Sequence, residues 1–170
     1  MAQNAGVSNP APNSRERVRN ALGAAGLECE IVETPDSART AVEAAAAVGA
    51  RVGQIVKSLV FLCDDRPVLA LMAGDNRLDE SLLAEVAGGP IGRADAARVR
   101  EHTGFAIGGV APLGSVRPLP VFCDVDLLAH DHVWAAAGAP HAVFRIAPQA
   151  LVDAVGAQIA ELAQRAPAAG

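Results

Sequence analysis

Gln54-Ile55-Val56-Lys57-Ser58-Leu59-Val60-Phe61-Leu62, then Cys63-Asp64-Asp65-Arg66, then Pro67-Val68-Leu69-Ala70-Leu71-Met72-Ala73 is the stretch that decides the fold. Two apolar runs of strand length, rich in branched aliphatics and split by a short polar turn, predict an antiparallel hairpin set inside a sheet. Lys57 falls in the first run, on what should be a central strand. It is the only lysine of the chain; arginine supplies every other permanent positive charge among the side chains. A compact ammonium on a flexible stem can aim at a single atom and shifts its pKa readily on burial, which a planar guanidinium does not do. Two readings follow: a buried stem with its head in water, or a site lysine placed deliberately in a strand.

Working outward, the flanking segments alternate between helix and strand patterns. Ser14 reads as an N-cap, with Val18, Leu22 and Ala25 on one face and Gly26 as a stop. Cys29 to Glu33 alternates like a short strand, and Thr40 caps an alanine-rich helix that ends near Gly49. Asp79 to Val86 and Ala94 to His102 read as helices separated by Gly88-Gly89-Pro90. Val121 to Val125, Val133 to Ala136 and Ala142 to Ile146 read as strands, and Pro148 opens a last helix carrying Leu151, Val155, Ile159 and Leu162. Strands and helices are interspersed without regular βαβ alternation, so the expected class is α+β with a mixed sheet. Residues 1–13 read as a flexible leader, 14–165 as one domain and 166–170 as a flexible tail.

Composition narrows the function. The 170 residues suit one core, and the apolar content is 51% with only 3% aromatics, so small aliphatics should build it. Cys29, Cys63 and Cys123 lack any C-x-x-C spacing, which argues against a disulfide framework or zinc site and fits a reducing cytoplasm. Without a signal pattern or a long apolar segment, no membrane contact is expected. A formal charge of -5 argues against extended DNA binding and leaves room only for local contact with nucleic acid.

Three loops are candidates for chemistry. Gly108-Gly109-Val110-Ala111-Pro112-Leu113-Gly114 offers backbone N–H groups close to a ligand, yet it is neither a Walker loop nor a dinucleotide fingerprint. Gly138-Ala139-Pro140-His141 presents one histidine in a turn between strands. His130, Asp131, His132, Asp124 and Asp126 lack a closed ligand pattern, and no metal is expected there. No Gly-x-Ser-x-Gly elbow or spaced Cys–His signature supports a covalent hydrolase.

Taken in order, Thr40 to Ala45, Val52 to Phe61, Gly108 to Gly114 and Val133 to His141 resemble the YbaK family, the prolyl-tRNA synthetase associated editing domains. The likeness runs from about Arg15 to Gly156. It implies a barrel-like mixed β-sheet surrounded by helices and a free-standing deacylase of mischarged aminoacyl-tRNA acting in trans; selection by pocket size would then admit small amino acids. The family's site lysine falls on Lys57 and its G-x-x-x-P loop on Gly108 to Pro112, so Lys57, Gly108, Gly109 and Val110 are the expected catalytic residues. Ser58, Pro112, Gly114, Gly138 and His141 are expected to bind substrate. The partners implied are the aminoacyl-tRNA 3′ end and an aminoacyl-tRNA synthetase; no cofactor is implied, and oligomeric state is left open. Two other readings stand beside it: a binding module of the same fold that recognises tRNA ends or synthetases, and a Schiff-base enzyme using Lys57 as its amine.

Overall fold

The computed structural model describes residues 11–166. Strands β1 (Ile31–Glu33), β2 (Val56–Cys63), β3 (Arg66–Ala73), β4 (Ile91–Arg93), β5 (Val121–Asp124), β6 (Val133–Ala136), β7 (Ala142–Ile146) and β8 (Gln158–Ala160) are interspersed with helices. The helices are α1 (Ser14–Ala24), α2 (Ala41–Val48), α3 (Glu80–Ala87), α4 (Ala96–Thr103) and α5 (Pro148–Val155). The expected α+β class with a mixed sheet holds. Five strands run in the order β4-β2-β3-β5-β8 and three in the order β1-β7-β6. The β2–β3 pair is antiparallel, whereas β3–β5 and β5–β8 are parallel. The two sheets remain separate layers and do not close into the barrel that the resemblance implied.

The hairpin forms as its sequence dictates. Val56 pairs with Ala73 and Cys63 with Arg66, which leaves Asp64 and Asp65 as a two-residue turn with φ of 48° and 63°. Two positive φ values match the twist of the flanking strands, and aspartate is among the residues that tolerate them. Because both faces of β3 are covered, its side chains feed two cores. Leu69, Leu71 and Ala73 join Val18 and Leu22 of α1, Phe144 of β7 and Leu151 of α5. Val68, Ala70 and Met72 join Leu83 of α3, Phe122 and Leu162.

Caps fix most helix boundaries. Thr40 accepts from the Glu43 N–H and Gly49 closes α2 in the left-handed conformation, as expected. The N-cap of α1 is Asn13 rather than Ser14, because Asn13 and Glu16 form a reciprocal capping box. Asn13 thereby belongs to the fold, while residues 1–10 of the expected leader and 167–170 of the expected tail lie outside the described residues. The last helix is shorter than its apolar spacing suggested. Gly156 adopts φ +63° and the Ala157 N–H turns back to Val152 O, so Ile159 falls on β8 instead. Among the described residues no helix is long and apolar enough to cross a membrane.

Candidate active site

Although β2 is an interior strand, it is open along half its length. Strand β4 pairs only with Phe61, Leu62 and Cys63, and among the described residues no strand pairs with Val56 to Val60 on that side, the single bridge from Ile55 to Trp134 lying just before β2. A cavity of about 430 Å³ opens there, within the range of small-molecule sites. Its wall is the β2 edge, the start of α2, the loop at Ile107 to Val110, and β6 with Pro140 and Ala142.

Lys57 borders this cavity and a second, more polar one of about 550 Å³ that also holds Arg77, Glu80 and Arg93. Alternation explains the position. Val56 belongs to the first core, whereas Leu59 and Phe61, which share a face with Lys57, pack against the second. The Lys57 ammonium donates to the carbonyl of Asn76. Burial lowers its pKa from 10.5, the Asp75 carboxylate opposes that shift, and Arg77 adds to it. A cation is therefore held at the seam between an apolar and a polar chamber.

The structure brings together part of the expected residue set. Lys57, Ser58, Gly108 and Val110 line the same cavity. Gly108 has φ +92°, a conformation that favours glycine. The Gly109 N–H is engaged by Ala106 O at 3.0 Å, which closes the turn. The Gly108 and Val110 N–H groups have no protein acceptor among the described residues. Gly109 instead brings two loops into contact, since a Cβ there would lie 3.0 Å from the Ala139 backbone. Ser58 Oγ is buried without a hydrogen-bond partner among the described residues.

The other expected residues lie apart. Pro112 and Gly114 line a separate cavity of about 270 Å³. Gly114 and Gly138 pack on the backbone of α1, where a Cβ would come within 3.0 Å of Arg17 O and 2.6 Å of Ser14 O respectively. His141 is half-buried, with Nε2 3.8 Å from Asp36 Oδ1 and a buried Nδ1 that has no partner among the described residues.

A polar network behind Lys57 escaped the sequence reading. Asn76 Nδ2 donates to Asp124 Oδ2 at 3.0 Å and to Asp126 Oδ2 at 2.6 Å. Arg165 donates twice to Asp126, at 2.9 and 3.1 Å. In the polar stretch first weighed as a metal cluster, Asp124 and Asp126 thus spend their carboxylates on protein donors, and His132 faces Gln54 and Arg145. Among the described residues no three His, Cys, Asp or Glu side chains converge on a point that could hold a metal. Cys123 is buried beside Asp124, and its thiol is pushed up to about 12, so it is no nucleophile at neutral pH.

The Asp126 contacts carry a pH signature. Hydrogen bonds from Arg165 and then Asn76 hold its carboxyl below the ordinary value of 3.8. A carboxyl whose folded pKa is depressed stabilises the fold fully above its unfolded pKa and loses that contribution as pH falls through the folded value. Wild type should therefore melt above Asp126→Asn at neutral pH, and the two should converge as the pH drops below 3.8. Parallel thermal melts of the two proteins across that range check this.

Residues 35–154 match the family model of the aminoacyl-tRNA editing domain. The uncharacterized protein YwhH of Bacillus subtilis (strain 168) is 30% identical over 127 residues, covering 74% of this chain and 81% of that protein. Proline--tRNA ligase of Maridesulfovibrio salexigens is 34% identical over 105 residues, covering 59% of this chain but only 18% of the ligase. Among solved structures, a crystal structure presented as a proposed trans-editing enzyme for prolyl tRNA synthetase is 49% identical with a TM-score of 0.86, covering 91% of this chain and 99% of that one.

Proposed function

The chain belongs to the aminoacyl-tRNA editing domain family, and on that premise we propose that it is a trans-acting deacylase that hydrolyses the ester of tRNA mischarged with a small amino acid. The observation that carries the reading is the single lysine at the seam of two chambers, lining the apolar one together with Gly108 and Val110. An aminoacyl ester is already activated, so its hydrolysis needs a fixed carbonyl, a placed water and donors aimed at the developing oxyanion. Among the described residues the N–H groups of Gly108 and Val110 have no protein acceptor to compete for them, which suits them to that task. The Lys57 ammonium supplies charge for the carbonyl or the terminal sugar and phosphate, and the terminal ribose 2′-hydroxyl helps place the water. Selection follows from size. Val60, Ile107, Trp134 and Ala136 give the chamber an apolar lining, which separates neighbouring side chains by about 1 to 3 kcal/mol per methylene.

Ser58 gives this reading a local test. A buried hydroxyl without a partner costs about 1 to 3 kcal/mol, so Ser58→Ala should leave stability unchanged or raise it. If the hydroxyl meets substrate, the same variant raises KM several-fold; chemical denaturation and steady-state deacylation, run side by side, separate the two effects. The test of the function itself is deacylation of tRNAs charged with alanine, serine, cysteine, threonine and proline. Release of the smaller amino acids with proline left attached is expected. A folded protein that releases none of them would leave a tRNA-end or synthetase-binding module as the reading.

A further inference from the structure

We propose that Asn76 is a positioning residue for Lys57, and that the C-terminal segment from Leu162 to Arg165 holds Asn76 in place. The carbonyl that receives the Lys57 ammonium belongs to an irregular stretch just past β3, where the sheet ladder has ended. What fixes it is the side chain of the same residue. Asp124 is fully buried, and a buried carboxylate is costly unless its oxygens accept hydrogen bonds. One oxygen takes the Leu162 N–H at 3.1 Å and the other takes the Asn76 amide at 3.0 Å. The second carboxylate converges on the same amide at 2.6 Å and is itself clamped by both terminal nitrogens of Arg165. Two carboxylates brought to one point repel unless donors stand between them, and the Asn76 amide with the Arg165 guanidinium fills that role. With the amide fixed, the short link from side chain to peptide fixes the carbonyl too.

Backbone bonds tie the brace to the strand end. The Asp79 N–H donates to Leu162 O at 2.7 Å, and the Gln164 N–H donates to Arg77 O at 2.7 Å. The C-terminal segment therefore pairs with the residues directly after Asn76 along one edge, as an antiparallel bridge between Leu78 and Ala163. It lies beyond residues 35–154, where the family model matches. The deacylation consequence rests on the function proposed above; the placement of Lys57 does not.

The sole lysine makes the test direct. Protein grown on isotope-labelled lysine carries a single Nζ resonance, so the environment of Lys57 is read without chemical modification or substrate. Asn76→Ala and Arg165→Ala should shift that resonance and speed its hydrogen exchange, while Arg66→Ala, at the far end of the hairpin, should leave it unchanged. On turnover, displacing a positioned group by about 1 Å can cost up to ~100-fold, so Asn76→Ala should lower kcat tenfold or more on this scale (~10- to 100-fold) with KM little changed. Asp126→Asn, which keeps an acceptor for the amide, should fall between it and wild type. An unmoved resonance in folded Asn76→Ala overturns the proposal; should that variant fail to fold, an unmoved resonance in Arg165→Ala, altered at a half-exposed side chain, overturns it equally. A resonance that moves in a protein that deacylates nothing keeps the brace and sinks the deacylase reading. Normal turnover with an unmoved resonance does the reverse.

Discussion

Lys57→Ala is expected to slow deacylation by about 100- to 1000-fold, the loss seen when one preorganised donor to a developing oxyanion is removed. Lys57→Arg should fail almost as badly. Its planar fork is wider than an ammonium and carries its donors in a fixed plane, whereas the site offers one carbonyl, that of Asn76, and a seam between two chambers. Neither variant should unfold the protein. Burial is the leading cause that lowers the lysine pKa in the folded state, so the ammonium contributes little to folding and its loss should change the melting temperature only slightly. The ammonium is the working form, so activity should be lost as pH rises through a value below 10.5. Single-turnover hydrolysis of a cognate mischarged tRNA, with thermal melts of the same preparations, checks each part. Near-wild-type turnover by Lys57→Ala would remove the lysine from the chemistry.

Lys57 was legible because it broke two patterns at once, a charge in an apolar strand and a lysine among arginines. The hairpin around it was legible for a similar reason: alternation and the Asp64-Asp65 turn are local properties, and local chemistry decided both. Long-range properties were not legible. Ile159 continues a helical spacing from Leu151, yet the left-handed Gly156 sends it into a parallel strand beside β5; only the sheet that needed an edge partner reveals that. The glycines divide in the same way. Gly108 sits at the cavity, while Gly114 and Gly138 are there to let α1 approach, a distinction carried by a helix roughly a hundred residues away in sequence. Asp124 and Asp126 read only as carboxylates without a closed metal-ligand pattern, and nothing near them in sequence signals Asn76 or Arg165. A weak signal did exist in Gly74-Asp75-Asn76, a polar break directly after a strand that pairs with the lysine strand.

Gly74→Ala should be the most damaging substitution of a small residue near the site. A Cβ at Gly74 would stand 2.4 Å from Val52 O, 3.1 Å from Ala41 Cβ and 3.2 Å from Ile55 Cβ. The nearest of these is a backbone oxygen, which cannot swing aside as a side-chain tip can, so the turn at Val52–Gln54 or the end of β3 must move. Overpacking of this kind costs about 1 to 3 kcal/mol. The displacement also has a direction that matters. Ala41 and Ile55 line the apolar cavity, and Asn76 lies two residues past the glycine, so relief of the clash changes the chamber wall and the lysine anchor together. Gly92→Ala supplies the contrast, because a Cβ there meets nothing within 4 Å. In urea titrations the Gly74→Ala midpoint should fall with an unchanged slope, and its kcat should drop beyond what the unfolded fraction explains, while Gly92→Ala keeps both. If Gly74→Ala matched Gly92→Ala, the packing between the Val52–Gln54 turn and the end of β3 would have to be looser than these distances describe, and the rigid placement argued for Lys57 would lose its support on that side.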